Sequence, residues 1–348
     1  MAPATLENSA VSCYLNSTLQ CLARMDKFID ILLPHEKNGR IAVLRELLIN
    51  LATTDGLYSN TEVQEKFHLL SSDEQEDPHE FIVKLIDAIE CDLKTSLMSS
   101  YTVNTEIITS SGSFTDKTFP LTVNVSFPCS IDESLCDSLW SQHDFIKIKS
   151  LPQDFFLLHL NRVSYDVTTH NLVKACDEII LSEELDMALF EDPPEKLVSL
   201  WQTNAETVKE LTKRRHHILG DKAIRNLSMA IDELDTSILP SPEQLKESIK
   251  YIIEPFITET IEIDQRLSKF SSAFWSKVLA LKSSDIYKLR SFILHSGSAN
   301  EGHYIAAVKE GDEWWVISDE NVSGPYTLET LFKNAENNYL VTLAFYSK

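Results

Sequence analysis

The hydrophobic period of this chain switches three times, from helical to strand-like, back to helical and back again, and few architectures accommodate that order. Leu15, Leu19 and Leu22 recur at helical spacing, so a helix is predicted from Ser12 to about Ile31, with Cys13 in its first turn. Residues 39 to 53 repeat the pattern through Ile41, Leu44, Leu47 and Leu48. A third helix is predicted to open at Asp77-Pro78-His79-Glu80. Asp77 suits the N-cap and Pro78 the first helical position; Glu80, three residues on, completes a capping-box pattern ahead of Phe81, Leu85 and Ile89.

From Tyr101 the pattern is β. Residues Thr118 to Val125 alternate, and Phe155-Phe156-Leu157-Leu158-His159-Leu160 reads as a buried strand. Beyond Leu185 a helical period holds to about Lys282, broken at Pro193-Pro194 and at Leu239-Pro240-Ser241-Pro242. Strands resume at Tyr287 to Leu294 and Tyr304 to Val308. No internal repeat is evident. The order predicts an α+β fold whose sheet is interrupted: a first part over 1–187, a helical insertion over 188–282, and a second part over 283–348.

Composition narrows the function classes. The 348 residues hold 31 Lys+Arg against 53 Asp+Glu, a formal charge of −22. Such acidity argues against nucleic acid and against anionic membranes, and is compatible with a basic partner or with plain solvation. No apolar run reaches the roughly 18 residues of a spanning helix, and Met1-Ala2-Pro3 opens no signal peptide. Cys13, Cys21, Cys91, Cys129, Cys136 and Cys176 are scattered without a CxxC pair, which fits a reducing, cytoplasmic or nuclear setting and gives no zinc signature. No metal or other cofactor is expected. His35, His68, His159 and His170 share no ligand spacing and read as structural, and Lys213-Arg214-Arg215-His216-His217 reads as a solvated helix face. Of the adjacent Trp314 and Trp315, strand alternation puts one in the core and one near the surface.

The chemistry concentrates at the two ends of the chain. Cys13 at a helix N-terminus has its thiolate favoured by the dipole and the unpaired N–H groups of the first turn. A nucleophilic thiolate needs a base, and His303 in Glu301-Gly302-His303-Tyr304 is the candidate, with the small Gly302 permitting close approach. The base needs an acceptor on its far nitrogen, and Ser318-Asp319 follows after Trp314-Trp315-Val316-Ile317.

These residues carry a family resemblance. The stretch from Leu6 through Asn8, Cys13, Tyr14, Leu15, Asn16 and Ser17 to Gln20 resembles the Cys box of the ubiquitin-specific proteases. Gln75-Glu76-Asp77-Pro78-His79-Glu80-Phe81 is similar to that family's second motif. Leu151 to Arg162 is similar to the strand that follows its fingers. His295-Ser296-Gly297 with Gly302-His303-Tyr304, Trp314 and Ser318-Asp319 resembles its His box. The resemblance implies a papain-like cysteine protease with thumb helices, an antiparallel β palm and fingers, cleaving after the last glycine of ubiquitin. Ubiquitin and ubiquitinated proteins would be the partners. It implies Cys13 as nucleophile, His303 as base and Asn8 as oxyanion donor, with Gln75, Asp77, His295, Gly302 and Tyr304 contacting substrate. The helical insertion is similar to that of the paired human enzymes twenty-five and twenty-eight and their fungal relatives, and makes a partner-binding or self-associating arm an expectation.

Several positions depart from the family pattern. Thr5 and Ala10 stand where glycines are usual, and Val11-Ser12 where Asn-Thr is usual. Ser318 falls at the usual Asp or Asn, and Asp319 at the second acid, leaving open which of the two orients His303. A serine accepts from an imidazole without supplying anionic stabilisation. Cys129 and Cys136 are too far apart for a zinc knuckle, so short, metal-free fingers are expected. An active hydrolase competes with a ubiquitin-binding pseudoprotease; a transglutaminase-like enzyme shares only Cys and His. With Cys13 so near the start, a trimmed catalytic domain is also an expectation.

Overall fold

A computed structural model gives the fold and describes residues 2–8, 12–33, 39–67, 76–94, 101–141, 145–166, 170–220, 242–279, 281, 285–298, 301–333 and 339–348. The first helical region holds α1 (Cys13–Leu22), α2 (Asp26–Leu32), α3 (Arg40–Thr53), α4 (Thr61–Phe67) and α5 (Pro78–Leu93). The short β1 (Thr5–Leu6) and β2 (Leu57–Tyr58) pair in parallel among them. The helix predicted from Ser12 to Ile31 is two helices. Between them Arg24, its side chain only 5% exposed, donates to Glu310 Oε1 at 2.9 and 2.7 Å and to the backbone and side-chain oxygens of Gln20 at 3.2 and 2.9 Å. A buried guanidinium must be satisfied, and satisfying this one turns the chain. At α5, Asp77 caps as predicted, but its Oδ1 accepts from the His79 N–H at 2.7 Å rather than from Glu80. The apolar face of α5 is buried, and Phe81 meets Tyr14 of α1 edge-on at 5.6 Å.

The middle of the chain supplies β3 (Val103–Thr109), β4 (Gly112–Thr118), β5 (Leu121–Asn124), β6 (Cys129–Ser130), α6 (Ile131–Leu139), β7 (Phe145–Ser150), β8 (Phe155–Asn161), β9 (Val163–Asp166), β10 (Asn171–Lys174), β11 (Ile179–Ile180), β12 (Glu184–Asp186) and α7 (Ala188–Glu191). The strand predicted from Thr118 to Val125 is divided, because Pro120 has no N–H for a ladder. Its beginning ends β4, in a three-stranded sheet ordered β4-β3-β7; its remainder is β5, in a different sheet.

Helical residues return in α8 (Glu195–Gly220) and α9 (Pro242–Val278). Trp201 packs on Phe270 and Phe274 at 5.9 and 5.3 Å, and the side chains of Arg214 and Arg215 pair with Glu259 and Asp264. The basic stretch is largely exposed, and its two arginines are ion-paired to the neighbouring helix. The chain ends with β13 (Ile286–Gly297), β14 (Gly302–Glu310), β15 (Glu313–Ser318), β16 (Asn321–Tyr326), α10 (Leu328–Lys333) and β17 (Leu340–Ser347). Trp314 is fully buried and Trp315 partly so. The described chain divides into two compact units: Met1–Val125 with Ser130–Pro193 and Ser283–Lys348, and Ser126–Cys129 with Pro194–Lys282. Among the described residues, no helix is long and apolar enough to cross a membrane.

The central feature of the first unit is a sheet ordered β16-β15-β14-β13-β17-β8-β5, with β12 also on β13. All its pairings are antiparallel except β5 on β8. Helix α1 lies on β13 and β14 and is covered by α3 and α5, so all ten of its residues are buried. Polar members of this helix bond inward: Thr18 Oγ1 donates to Tyr14 O at 2.7 Å, and Gln20 Nε2 to Ala4 O at 2.9 Å.

Two sheet histidines are packed as neutral rings. His159 on β8 stacks on His79 of α5 at 4.3 Å, and His295 on β13 stacks on Tyr304 of β14 at 4.2 Å. Burial holds each imidazole near 4, with the His79 ring adding to the effect on His159, and Lys174 and then His303 on His295. An unfolded histidine titrates near about 6.5, so between the two values the unfolded chain binds more protons. Stability from these rings is complete above about 6.5 and is lost as pH falls toward about 4. Urea midpoints measured from pH 7 to 5 should decline, and His159→Asn should flatten that decline. Parallel pH profiles for both proteins would refute this account.

Candidate active site

Ser12 precedes α1, and its carbonyl accepts the Asn16 N–H at 2.8 Å, so Cys13 occupies the first helical position. There the N–H groups of the first turn and the helix dipole favour a thiolate. Cys13 is 6% exposed, within reach of a reacting group yet largely shielded from water. The helix packs on β14, which begins Gly302-His303-Tyr304.

His303 and Ser318 stand on adjacent strands, and Nε2 of the imidazole is 2.8 Å from Ser318 Oγ. The nearer carboxylate oxygen of Asp319 is 3.9 Å from that nitrogen. Serine is thus the direct partner, and the acid has a different set of contacts. Asp319 adopts φ 52°, a left-handed backbone that Asp tolerates better than most residues. Its Oδ2 accepts from Asn8 Nδ2 at 2.9 Å, and its Oδ1 from Asn16 Nδ2 at 2.8 Å. Its carbonyl accepts the Leu6 N–H at 3.3 Å. One residue therefore grips the chain on both sides of Cys13. Asn8 Oδ1 also accepts from Ser12 Oγ at 3.2 Å, and Asn16 Oδ1 accepts from the buried amide of Asn60, which bonds in turn to Gln64.

Tyr304 is buried with its phenol among Asp77 and Cys13. Burial first, then the Asp77 carboxylate and Cys13, push its ionisation well above the ordinary tyrosine range, so it remains a neutral hydroxyl. Tyr339 is pushed the same way by burial, Cys13 and Asp319. His295, 5% exposed, has its Nδ1 2.7 Å from Lys174 Nζ. The two glycines of this turn are sterically required. A Cβ on Gly302 would fall 2.1 Å from the Ser296 carbonyl oxygen, and Gly297 combines φ 125° with a backbone oxygen 2.3 Å from any Cβ. Gln75 and the Ala10-Val11 pair lie outside the described residues.

The structure thus brings together Asn8, Cys13, Gly302, His303, Tyr304, Ser318 and Asp319, with Asp77 and His295 beside Tyr304. Sequence reasoning missed Asn16 and Asn60. Asn16 had a usable signal, since it follows Cys13 by three residues and so lies on nearly the same side of α1. Asn60 and Lys174 had none, because each comes from an element without a motif.

His159, grouped with no ligand from its spacing, lies within 4.8 Å of ligand atoms of Asp77 and His79, a cluster of metal-ligand type among the described residues. The His79 and His159 rings are 6° from parallel at 4.3 Å, so their in-plane lone pairs run side by side instead of converging on one ion. Asp77 is already engaged as a helix cap. The cluster is built as a stack.

Comparison with known proteins matches nearly the whole chain. Residues 4–336 match the family described as ubiquitin carboxyl-terminal hydrolase. The chain is 24% identical over 365 residues to ubiquitin carboxyl-terminal hydrolase 47 of Drosophila melanogaster, an alignment covering 91% of this chain and 22% of that protein. It is 25% identical over 334 residues to ubiquitin carboxyl-terminal hydrolase 26 of Oryza sativa subsp. japonica, covering 92% of this chain and 26% of that protein. The human hydrolase 47 aligns over 168 residues at 26% identity, covering 48% of this chain and 10% of that protein. The chain thus spans at most about a quarter of the length of these curated relatives. A match that runs through both the Cys13 helix and the His303 strand shows that this chain belongs to the ubiquitin carboxyl-terminal hydrolase family.

Proposed function

We propose that this chain is a deubiquitinating cysteine protease that hydrolyses the bond after the C-terminal glycine of ubiquitin. The observation that carries the reading is the joint presence, around one helix N-terminus, of a thiol, an imidazole with an oriented far nitrogen, and a clamped side-chain amide. Because Ser318 holds His303 Nε2, the other nitrogen, Nδ1, is left to take the Cys13 proton. The thiolate attacks the carbonyl carbon, and the second hydrogen of the Asn8 amide stabilises the oxyanion. Collapse forms a thioester and expels the lysine amine, which receives the proton from His303. Water, activated by the same imidazole, then releases ubiquitin.

In this reading α1 to α5 act as the thumb, the large sheet as the palm, and the β3–β4–β7 sheet as short fingers. Glu76, Asp77 and the overall charge of −22 suit a basic ubiquitin tail. None of the six cysteines forms a disulfide among the described residues, which suits a reducing intracellular site of action. A ubiquitin probe with a C-terminal electrophile should label wild type and leave Cys13→Ala unmodified. Binding without labelling would favour the second reading, a pseudoprotease, whose supporting observation is the neutral Ser318 in the orienting place.

The role of Asp319 is that of a positioning residue acting through Asn8. Asn8→Ala should lower kcat by about 10²–10³-fold, as loss of one oxyanion donor does. Asp319→Ala should cost a similar factor, and the double variant little more than either alone. Multiplicative losses would show that the two side chains act separately.

The helical stretch before β13 supports an arrangement similar to the paired human enzymes twenty-five and twenty-eight, with α8 and α9 as a self-associating arm. Light scattering of the chain with and without residues 194–282 decides this, since a monomeric mass for the full chain would defeat self-association.

A further inference from the structure

Lys174 ends β10, and the β9–β10 hairpin pairs with no further strand among the described residues. The chain leaving the hairpin is held by Arg162, 4% exposed, whose guanidinium donates to the carbonyls of Ala175, Asp177 and Val341 at 3.2, 2.6 and 2.7 Å. The Ala175 N–H returns to the Arg162 carbonyl at 2.7 Å. From this anchored backbone, Lys174 Nζ extends to 2.7 Å from His295 Nδ1 and 2.8 Å from the Gly297 carbonyl oxygen.

An ammonium group only donates, so His295 Nδ1 must be the unprotonated nitrogen. The single ring proton is therefore on Nε2. That nitrogen lies against Gly302, where a Cβ would fall 2.3 Å from it, so the proton is at the edge of β14 beside His303. Tyr304 stacks on the ring at 4.2 Å and 21°, which opposes rotation. An apolar side chain could fill the space of the lysine stem without the cost of desolvating a charge. The contact with Gly297 also fixes the last residue of β13 before the turn to β14.

We propose that Lys174 is a positioning residue that locks His295 as the neutral Nε2–H tautomer, so that this N–H donates to a peptide carbonyl of the ubiquitin tail passing Gly302 toward Cys13. The proposal rests on the hydrolase reading and deepens it. It makes tail binding by His295 depend on a residue of the β9–β10 hairpin, outside every motif.

The test uses the ¹⁵N-histidine-labelled full chain and a long-range ¹H–¹⁵N correlation at pH 7, which reads tautomers directly. His295 should carry its proton on Nε2 in wild type and in Lys174→Arg, and should become a mixture of forms in Lys174→Met. Affinity is measured in a Cys13→Ala background, for intact ubiquitin and for ubiquitin lacking its C-terminal tail. Lys174→Met should weaken binding of intact ubiquitin roughly five- to tenfold, the scale of one hydrogen bond, and leave binding of tail-less ubiquitin unchanged. A wild-type proton on Nδ1, or a Lys174→Met variant with unchanged nitrogen shifts and unchanged tail-dependent affinity, would overturn the proposal. Neither readout uses catalysis, so failure of the probe to label wild type would sink the hydrolase reading separately.

Discussion

The site depends on one carboxylate with two hydrogen-bonding oxygens and two amide partners. Asp319 receives Asn8 on one oxygen and Asn16 on the other, and these residues bracket Cys13 in sequence. Hydrogen bonds to a charged acceptor are the stronger kind, and here they join positions more than three hundred residues apart. Without that clamp, the loop before α1 and the turn after β15 would have only the Leu6–Asp319 backbone bond in common, among the bonds described here. The left-handed backbone of Asp319 belongs to the same device, because it lets a residue at a strand end aim its carboxylate back at the helix.

This arrangement separates two tasks that a single acid could perform together. Ser318, at 2.8 Å, fixes which nitrogen of His303 is engaged, while Asp319, at 3.9 Å, supplies charge without a direct hydrogen bond. A neutral partner orients an imidazole but does little for an imidazolium, so in the proposed mechanism charge stabilisation falls to a carboxylate already shared with Asn8 and Asn16. The polar cost of burying this network is met by mutual satisfaction, running from Gln64 and Asn60 through Asn16 to Asp319 and Asn8.

How much of this was legible in the sequence follows from the range of each interaction. Periodicity revealed α3, α5 and β8, because their apolar faces are continuous and need no distant partner. It failed at Arg24, whose turn is set by Glu310 from the far end of the chain. Strand alternation from Thr118 to Val125 was real, yet Pro120 splits it between two sheets, and alternation says nothing about ladder donors. At the site, Cys13, His303 and Ser318 were visible by residue type and order. The division between Ser318 and Asp319 was not, since it depends on a φ angle and on the distance of each oxygen from one nitrogen. Asn60 and Lys174 were invisible because ordinary polar residues acquire meaning only from what the fold sets beside them.

The order of strands in the main sheet differs from their order in the chain. β17 is the last strand in the chain, yet it lies between β8 and β13, at the middle of the sheet. β17 is what joins β13, the strand leading to His303, to β8, the strand leading to Arg162. In sequence, therefore, Cys13, His303, Ser318 and Asp319 all precede the one strand that joins the two halves of their sheet.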